Sequence, residues 1–201
     1  MRKRGKARAE KILDVAKAIV ISEGLASLST RRVADQLGIS VGNLAYYYPT
    51  KQALLQAMVK RVIDGYDADL QREFASFPND PLMRLRAFFR YMKADAKKPE
   101  VHAFFYQFWG LTVTDDEAAA LRANMYDSFS RTLIDLLRDV HPSLRDRELE
   151  NMSYAILTFL EGLHVIYGPG DIARIRSQGF DRYITAQLYR LAYVDDEGGL
   201  A

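Results

Sequence analysis

Cationic side chains flank one short segment of the chain, residues 41–47. The segment itself contains no carboxylate, although 27% of all residues are charged. Arg31, Arg32 and Lys51 lie on either side of it in the sequence. Cationic side chains around a surface without acidic groups can bind phosphate oxygens, which supply much of the affinity of proteins for nucleic acid. The pattern therefore indicates contact with a polyanion.

The distribution of charge along the chain supports this interpretation. The whole chain of 201 residues has a net charge of +2. Residues 1–60 carry 11 Lys or Arg against 4 Asp or Glu, whereas residues 61–201 carry 17 against 22. A basic head (+7) on an acidic body (−5) is typical of a protein whose one end meets nucleic acid. A solvated basic tail is the alternative, since five of these charges lie between Arg2 and Arg8.

Helical signals position the basic segment. Ser29 or Thr30 can cap a short helix over 30–37, Gly38 suits its end, and Ser40 can cap a second helix over 41–47. Two short helices joined by a tight turn with Gly form a helix-turn-helix, whose second helix enters the major groove of DNA. An ordinary αα-corner would use the same glycine and apolar residues, but it would not require a face free of acidic residues.

The stretch from Thr30 to Leu55, TRRVADQLGISVGNLAYYYPTKQALL, resembles the DNA-binding signature of TetR-type (TetR/AcrR) transcriptional regulators. Ile12 to Ala16 and Gly24 are similar to the first helix of that family and its end, so the resemblance covers about residues 8–56. It implies a three-helix DNA-binding head, a connecting helix, and a larger helical domain that binds a ligand and dimerises.

By resemblance, nine residues of the head contact DNA. Ser40, Val41, Gly42 and Asn43 would read bases, and the amide of Asn43 could pair with an adenine edge. The others would contact phosphate, sugar or a base edge: Thr30, Arg31, Tyr46, Tyr47 and Lys51. The chain departs from the family at two positions, because Ala45 stands where Tyr is common and Tyr48 where Phe is common. We expect Tyr48 to keep the packing role of that Phe. The basic arm, Arg2 to Arg8, would add minor-groove or phosphate contacts, or else stay solvated.

Apolar spacing predicts an all-α protein of about nine helices, without repeats. Their ranges are 7–23, 30–37, 41–47, 51–76, 81–97, 100–110, 115–139, 146–167 and 173–193. We expect a DNA-binding domain over 1–50 and a ligand-binding and dimerisation domain over 51–201.

Aromatic residues are frequent in the expected body, and ligand pockets are mostly apolar and aromatic. Candidate ligand-binding residues are Phe89, Phe105, Phe108, Trp109, Tyr126, Phe129 and Phe159. For each of them, a place in the hydrophobic core is the competing interpretation.

The two C-terminal helices carry wide apolar stripes that predict a dimer interface. Candidates are Met152, Ile156, Phe159, Leu163, Ile166, Ile184, Leu188 and Leu191; packing within one chain is the alternative. A two-fold dimer would place its recognition helices about one DNA turn apart, roughly 34–36 Å, on a palindromic operator.

Several classes of chemistry have no motif in this sequence. It contains no cysteine, no nucleophile elbow, no Walker loop and no dinucleotide-binding glycine motif. Its three histidines lack metal-ligand spacing. We therefore expect neither an enzyme nor a metal or cofactor. The missing cysteines and the charged N-terminus, which is unlike a secretory signal, fit a cytoplasmic protein.

Together these features predict a ligand-responsive DNA-binding regulator, most simply a repressor that a non-covalent small molecule releases from its operator. Two alternatives stay open: a transcriptional activator of the same fold, and a helical small-molecule binder without a DNA function.

Overall fold

A computed structural model describes residues 3–167 and 178–193 of the chain. Within these ranges the backbone forms nine α-helices and a 3-10 turn at Leu25–Ser27, with no strand. The helices are α1 (Lys3–Glu23), α2 (Thr30–Leu37), α3 (Val41–Ala45), α4 (Lys51–Ala75), α5 (Pro81–Asp95), α6 (Pro99–Leu111), α7 (Asp116–Val140), α8 (Asp146–Ile166) and α9 (Gln178–Ala192). The all-α prediction is confirmed.

Helix ends agree best with the sequence where a capping residue or a proline marks them. The predicted starts of α2, α3, α4, α5 and α8 match the structure. Three predicted ends were wrong by two residues or more: α1 begins at Lys3 and not at 7, α3 ends at Ala45 and not at 47, and α5 ends at Asp95 and not at 97. The expected start of α9 at 173 and the Arg2 end of the basic arm lie outside the described residues.

Packing divides the chain into two compact units. One comprises Met1–Asp67 and Ala103–Met125, and the other comprises Ala68–His102 and Tyr126–Ala201. Helices α4, α6 and α7 each contribute residues to both units. No helix in the described part of the chain is long and apolar enough to cross a membrane.

The first unit contains the predicted helix-turn-helix. The hydroxyl of Ser29 caps α2 by accepting a hydrogen bond from the backbone N–H of Arg32 (3.0 Å). Gly38 ends α2 with φ 63°, a left-handed conformation that glycine adopts without steric cost. The core of these helices consists of side chains that are almost completely buried: Ile12, Ala16, Ile19, Val20, Leu28, Val33, Ala34 and Leu44.

Arg61 joins the first helix of this unit to the fourth. Its guanidinium donates a 2.5 Å hydrogen bond to the carbonyl oxygen of Glu10 and lies 2.7 Å from a carboxylate oxygen of Asp14. Tyr48 adds a 3.4 Å hydrogen bond from its hydroxyl to the carbonyl oxygen of Ala9. Side-chain contacts therefore fix α1 against the segment that begins α4.

The second unit is built around α5, α8 and α9. Asp80 caps α5 through a 2.9 Å bond from the N–H of Met83, and proline at the first helical position suits the start. Helix α8 packs against both α5 and α9. Buried side chains from these helices form the core: Leu85, Phe88, Phe89, Met92, Leu149, Ile156, Leu160, Leu163, Ile184 and Leu188.

Candidate nucleic-acid interface

The front of α3 is fixed by its own cap. The Ser40 hydroxyl accepts a 3.1 Å hydrogen bond from the backbone N–H of Asn43, which supplies an acceptor at the helix N-terminus. Leu44 is the buried anchor of this helix, with none of its surface exposed. Asn43, the residue before that anchor, is exposed. The cap and the buried Leu44 therefore hold α3 in place and leave the predicted base-reading positions accessible.

The predicted DNA contacts share this accessibility. Val41 is 44% exposed and Tyr46 is 78% exposed, which is unusual for large apolar or aromatic side chains. The remaining predicted residues are exposed or half-buried: Thr30, Arg31, Ser40, Gly42, Asn43, Tyr47 and Lys51.

The two arginines of α2 have different partners. Arg32 makes a paired contact with the carboxylate of Glu23, with atoms 2.7 and 3.1 Å apart. Arg31 is 86% exposed and only touches Asp35 at 4.0 Å, so its charge is available to a phosphate. The sequence analysis placed both arginines beside the helix, and in the structure Arg32 is paired with a carboxylate whereas Arg31 is not held as closely.

Lys51 lies at the first turn of α4. The hydroxyl of Thr50 accepts a 3.0 Å hydrogen bond from the N–H of Ala53, which caps this helix. The positive end of a helix dipole and an exposed ammonium group both favour an anion at this place. Together with Arg31 and the front of α3, the arrangement can hold a phosphate backbone beside a helix that reads bases.

Comparison with known families decides the class of protein. A family model described as "Bacterial regulatory proteins, tetR family" matches residues 12–58, and one described as "BetI-type transcriptional repressor, C-terminal" matches residues 81–188. The chain belongs to the TetR family of transcriptional regulators. As a member of this family it is a helix-turn-helix regulator of the DNA-binding type.

Individual proteins are similar to this chain over most of its length. An uncharacterised HTH-type transcriptional regulator in the dhlA 5′ region of Xanthobacter autotrophicus is 24% identical over 161 residues, covering 79% of each chain. A regulator from Pseudomonas aeruginosa PAO1 has a similar structure, with a TM-score of 0.76, 18% identity, and coverage of 94% of this chain and 90% of the other.

A regulator from Saccharomonospora viridis, crystallised with choline, is a third relative. It has a TM-score of 0.65 and 17% identity, and the match covers 92% of this chain and 94% of that one.

The predicted ligand-binding residues are divided between the two compact units. Phe105, Phe108 and Trp109 lie in the first, where the rings of Phe105 and Trp109 are 5.6 Å apart. The second contains the other four: Phe89, Tyr126, Phe129 and Phe159. Phe89, Phe105, Phe108 and Phe129 are buried, whereas Trp109, Tyr126 and Phe159 keep part of their surface exposed.

Phe89 also lines a groove of about 550 Å³ between α5 and α9. The sequence analysis did not anticipate the charged side chains along this groove. Lys93 and Lys97 both contact the carboxylate of Asp181, at 3.0 and 2.6 Å. Arg86 lies over the ring of Tyr189, 5.5 Å from its centre. The lining of this groove therefore contains four cationic side chains, those of Arg86, Arg90, Lys93 and Lys97, and one carboxylate.

Most residues predicted for the dimer interface are instead buried within the single chain. Met152, Ile156, Leu163, Ile184 and Leu188 are between 0 and 8% exposed, so they form the core between α8 and its neighbours. Phe159 and Leu191 are half-buried, and Ile166 is 46% exposed. The face that a second copy could reach carries a different set of residues: Tyr154, Ala155, Thr158, Gly162 and Val165 on α8, and Tyr183 and Ala186 on α9.

Buried polar groups in the second unit are a further feature that the sequence analysis missed. Glu161 projects from the inward face of α8, and burial raises the pKa of its carboxyl to about 7. Burial also lowers the pKa of His164, one turn further along, to about 4. The available signal was an acidic residue within the apolar stripe of α8. Among the described residues no group of three carboxylate or histidine side chains is arranged to hold a metal ion.

Proposed function

We propose that this TetR-family regulator acts as a homodimer that represses transcription from a palindromic operator and is released by a small molecule. The observation that carries the proposal is the front of α3: an exposed Asn43, held by the Ser40 cap, beside two cations, Arg31 and Lys51, on neighbouring helices. Such a surface can combine base readout with phosphate contacts.

The exposed face of α8 and α9 supports the dimer. Val165 and Tyr183 are about 60% exposed, and small residues such as Ala155 and Gly162 lie between the large ones on α8. Small residues allow two helices to approach closely, and large apolar side chains supply the area that becomes buried. A two-fold pair of such faces would be self-complementary.

Release by a ligand follows from two conformational states that bind the ligand unequally. A small molecule shifts the equilibrium only by its difference in affinity between the DNA-competent state and the other state. The complex of the Saccharomonospora viridis relative with choline supports a role for small molecules in this fold. Helix α4 contributes to both compact units, so we expect it to transmit the effect of ligand binding to the DNA-binding helices.

Operator binding is the direct test. DNA sequences selected from a random pool would be titrated with the dimer by fluorescence anisotropy at several salt concentrations. We expect affinity to fall steeply with salt because phosphate contacts release counterions. Absent or salt-independent binding would refute the DNA-binding function. Addition of the small molecule that the regulator recognises should release the protein and restore free DNA. If transcription instead rises with operator occupancy, the protein is an activator.

Two substitutions separate base readout from phosphate contact. Asn43→Ala should relax the sequence preference at one position by about 1–3 kcal/mol. Lys51→Ala should weaken binding to all sequences alike and reduce the salt slope by about 1. Lys60→Ala is the matched control, because Lys60 is on the same helix and pairs with Asp64 at 2.6 Å. Equal effects of the first two substitutions on specificity would contradict these roles.

A further inference from the structure

A groove in the second unit combines positive charge with aromatic and apolar surface. It lies between α5 and α9, and its volume of about 550 Å³ is in the range of small-molecule sites. Every residue that lines it belongs to the second unit. Phe89 is the one predicted ligand-binding residue along it. The groove is thus distinct from most of the residues that the sequence analysis assigned to ligand binding.

The positive charge of the groove comes from one face of one helix. Its four cationic side chains are spaced at intervals of four, three and four residues, which places them in a row along α5 and its C-terminal turn: Arg86, Arg90, Lys93 and Lys97. Helix α9 supplies the one carboxylate of the described lining, so the net charge of the lining is +3. Glu73 on α4 pairs with Arg90 and reduces this charge to +2. The groove therefore favours an anion.

The two lysines are held by α9. The ammonium group of Lys93 is 3.0 Å from a carboxylate oxygen of Asp181, and it also donates a hydrogen bond to the hydroxyl of Thr185. Lys97 is 2.6 Å from the other oxygen of Asp181, and its hydrogen bond is the main cause of the lowered pKa of that carboxyl. Only 11% of the Lys93 side chain is exposed. The lysines therefore join α5 to α9 and close one end of the groove.

Arg86 and Arg90 are more accessible than the lysines. Both are exposed, and they lie one turn apart on α5, a spacing that separates Cβ atoms by about 6 Å. No carboxylate in the described part of the chain pairs with Arg86, whose guanidinium lies over the ring of Tyr189. Arg90 pairs with the partly exposed Glu73 at 2.9 Å, and ion pairs between exposed side chains are weak. Both guanidinium groups are therefore open to a further anion.

Apolar surface lies beside these arginines. The rings of Tyr189 and Phe89 are 6.0 Å apart, and the sulfur of Met83 is 3.9 Å from a guanidinium nitrogen of Arg86. The carboxylate of Asp181 contacts the lysines, the nearer of which is seven residues, or about 10 Å of helix, from Arg86. A ligand whose anionic group contacts the arginines would thus cover the apolar surface and avoid the carboxylate.

The groove and the proposed dimer face use different sides of α9. Asp181, Thr185 and Tyr189 recur every four residues and therefore share one side of the helix. Tyr183 and Ala186, which belong to the proposed dimer face, project from another side, since successive residues are about 100° apart around a helix. Formation of the proposed dimer therefore does not require these groove residues.

We propose that this groove binds an organic phosphate, a phosphate monoester on an aromatic or apolar body. A monoester carries a charge of about −1.5 to −2 at pH 7, which matches the net charge of +2 around the groove. Guanidinium groups bind phosphate oxygens through paired N–H donors, and Tyr189 and Met83 can cover the apolar body. The inference goes beyond the proposed function, because binding here requires neither DNA nor a dimer.

Isothermal titration calorimetry would measure the binding of phenyl phosphate to the full-length protein at pH 8 in a buffer without phosphate. Inorganic phosphate, benzoate and phenol are the matched probes, because they lack the ring, one of the two charges and the whole phosphate, respectively. We expect saturable binding of phenyl phosphate and at least about tenfold weaker binding of each of the other three, since each loses apolar contact or ionic hydrogen bonds.

Substitutions localise the anion. Arg86→Gln and Arg90→Gln each remove one guanidinium group and should weaken the binding of phenyl phosphate about tenfold, without changing that of phenol. Arg131→Gln, at an exposed position of α7 outside the groove, is the matched control and should bind like the wild type. Circular dichroism checks folding, and if one groove variant does not fold, the other still tests the site.

Three results would overturn the inference: phenyl phosphate shows no saturable binding, one of the three matched probes binds as tightly, or both arginine variants bind phenyl phosphate like the wild type. Loss of its binding in Lys51→Ala, with both arginine variants unaffected, would place the anion at the DNA-binding head and would overturn the groove site as well.

Discussion

Replacement of Glu161 by glutamine should change how the stability of the protein depends on pH. Glutamine has nearly the same shape as glutamic acid but does not titrate. The folded wild type holds the carboxyl proton up to a pKa of about 7, whereas the unfolded chain loses it near 4.5. The folded state therefore binds more protons than the unfolded state between these values, and the wild type loses stability as the pH rises through that window.

The magnitude follows from the two pKa values. Each pH unit between 4.5 and about 7 corresponds to about 1.4 kcal/mol, which gives a loss of about 3 kcal/mol for the wild type by pH 8. The Gln variant avoids this loss. The free energy of unfolding of Glu161→Gln, relative to wild type, should thus increase by about 3 kcal/mol between pH 4.5 and pH 8.

His164 acts in the opposite direction. Its folded pKa of about 4 lies below the ordinary value of 6.5, so it destabilises the folded state as the pH falls through that range. This contribution is common to both proteins and cancels in their difference. In a measurement on wild type alone, the opposing contributions of Glu161 and His164 would partly cancel.

Urea unfolding, followed by far-UV circular dichroism at constant protein concentration, would give the free energies at pH 4.5, 6, 7 and 8. Constant concentration matters because the stability of the proposed dimer would depend on it. Glu150→Gln should show a difference from wild type that does not vary with pH. A pH-independent difference for Glu161→Gln as well would refute the reasoning, since it would mean that the carboxyl titrates in its ordinary range.

Three other substitutions test the packing, the dimer face and the recognition helix. Phe88→Ala, at a fully buried position of α5, should lower the free energy of unfolding by about 3–5 kcal/mol in urea titrations, because it leaves a large cavity. Val165→Asp should dissociate the dimer in analytical ultracentrifugation, whereas Val113→Asp, at an 81% exposed position outside α8 and α9, should leave its mass unchanged. Ser40→Ala should remove the cap of α3, at about 0.5–2 kcal/mol, and weaken operator binding in anisotropy titrations. Ser22→Ala on α1, whose hydroxyl caps no helix, should leave operator affinity unchanged.

The helices could be predicted wherever the sequence carries a local stop or start signal. Ser29, Ser40 and Pro81 mark helix starts through hydrogen bonds or backbone geometry that involve only neighbouring residues. The start of α1 lacks such a residue, and the prediction placed it four residues late. Helix boundaries that a capping residue or a proline marks can therefore be predicted from the sequence. Boundaries without such a residue depend on tertiary packing, which a single sequence does not show.

Exposure was harder to predict than helicity on α8. Met152 and Ile156 were expected at a dimer interface because they are apolar, and they are buried within one chain. The spacing of apolar residues indicates that a helix face is buried, but not whether the same chain or a second copy buries it. The exposed face is marked instead by small residues such as Ala155 and Gly162 among larger ones. Similarly, only the structure shows that one carboxylate oxygen of Glu161 is buried without a hydrogen-bond partner.

Helix α3 depends on a single buried side chain, that of Leu44, while Val41, Gly42 and Asn43 all face outward. Exposed substitutions usually change stability little. The predicted base-reading positions Val41, Gly42 and Asn43 are therefore almost independent of those that keep the protein folded. Such a division lets duplicated copies of a regulator acquire new operators through a few mutations, without passing through unfolded intermediates.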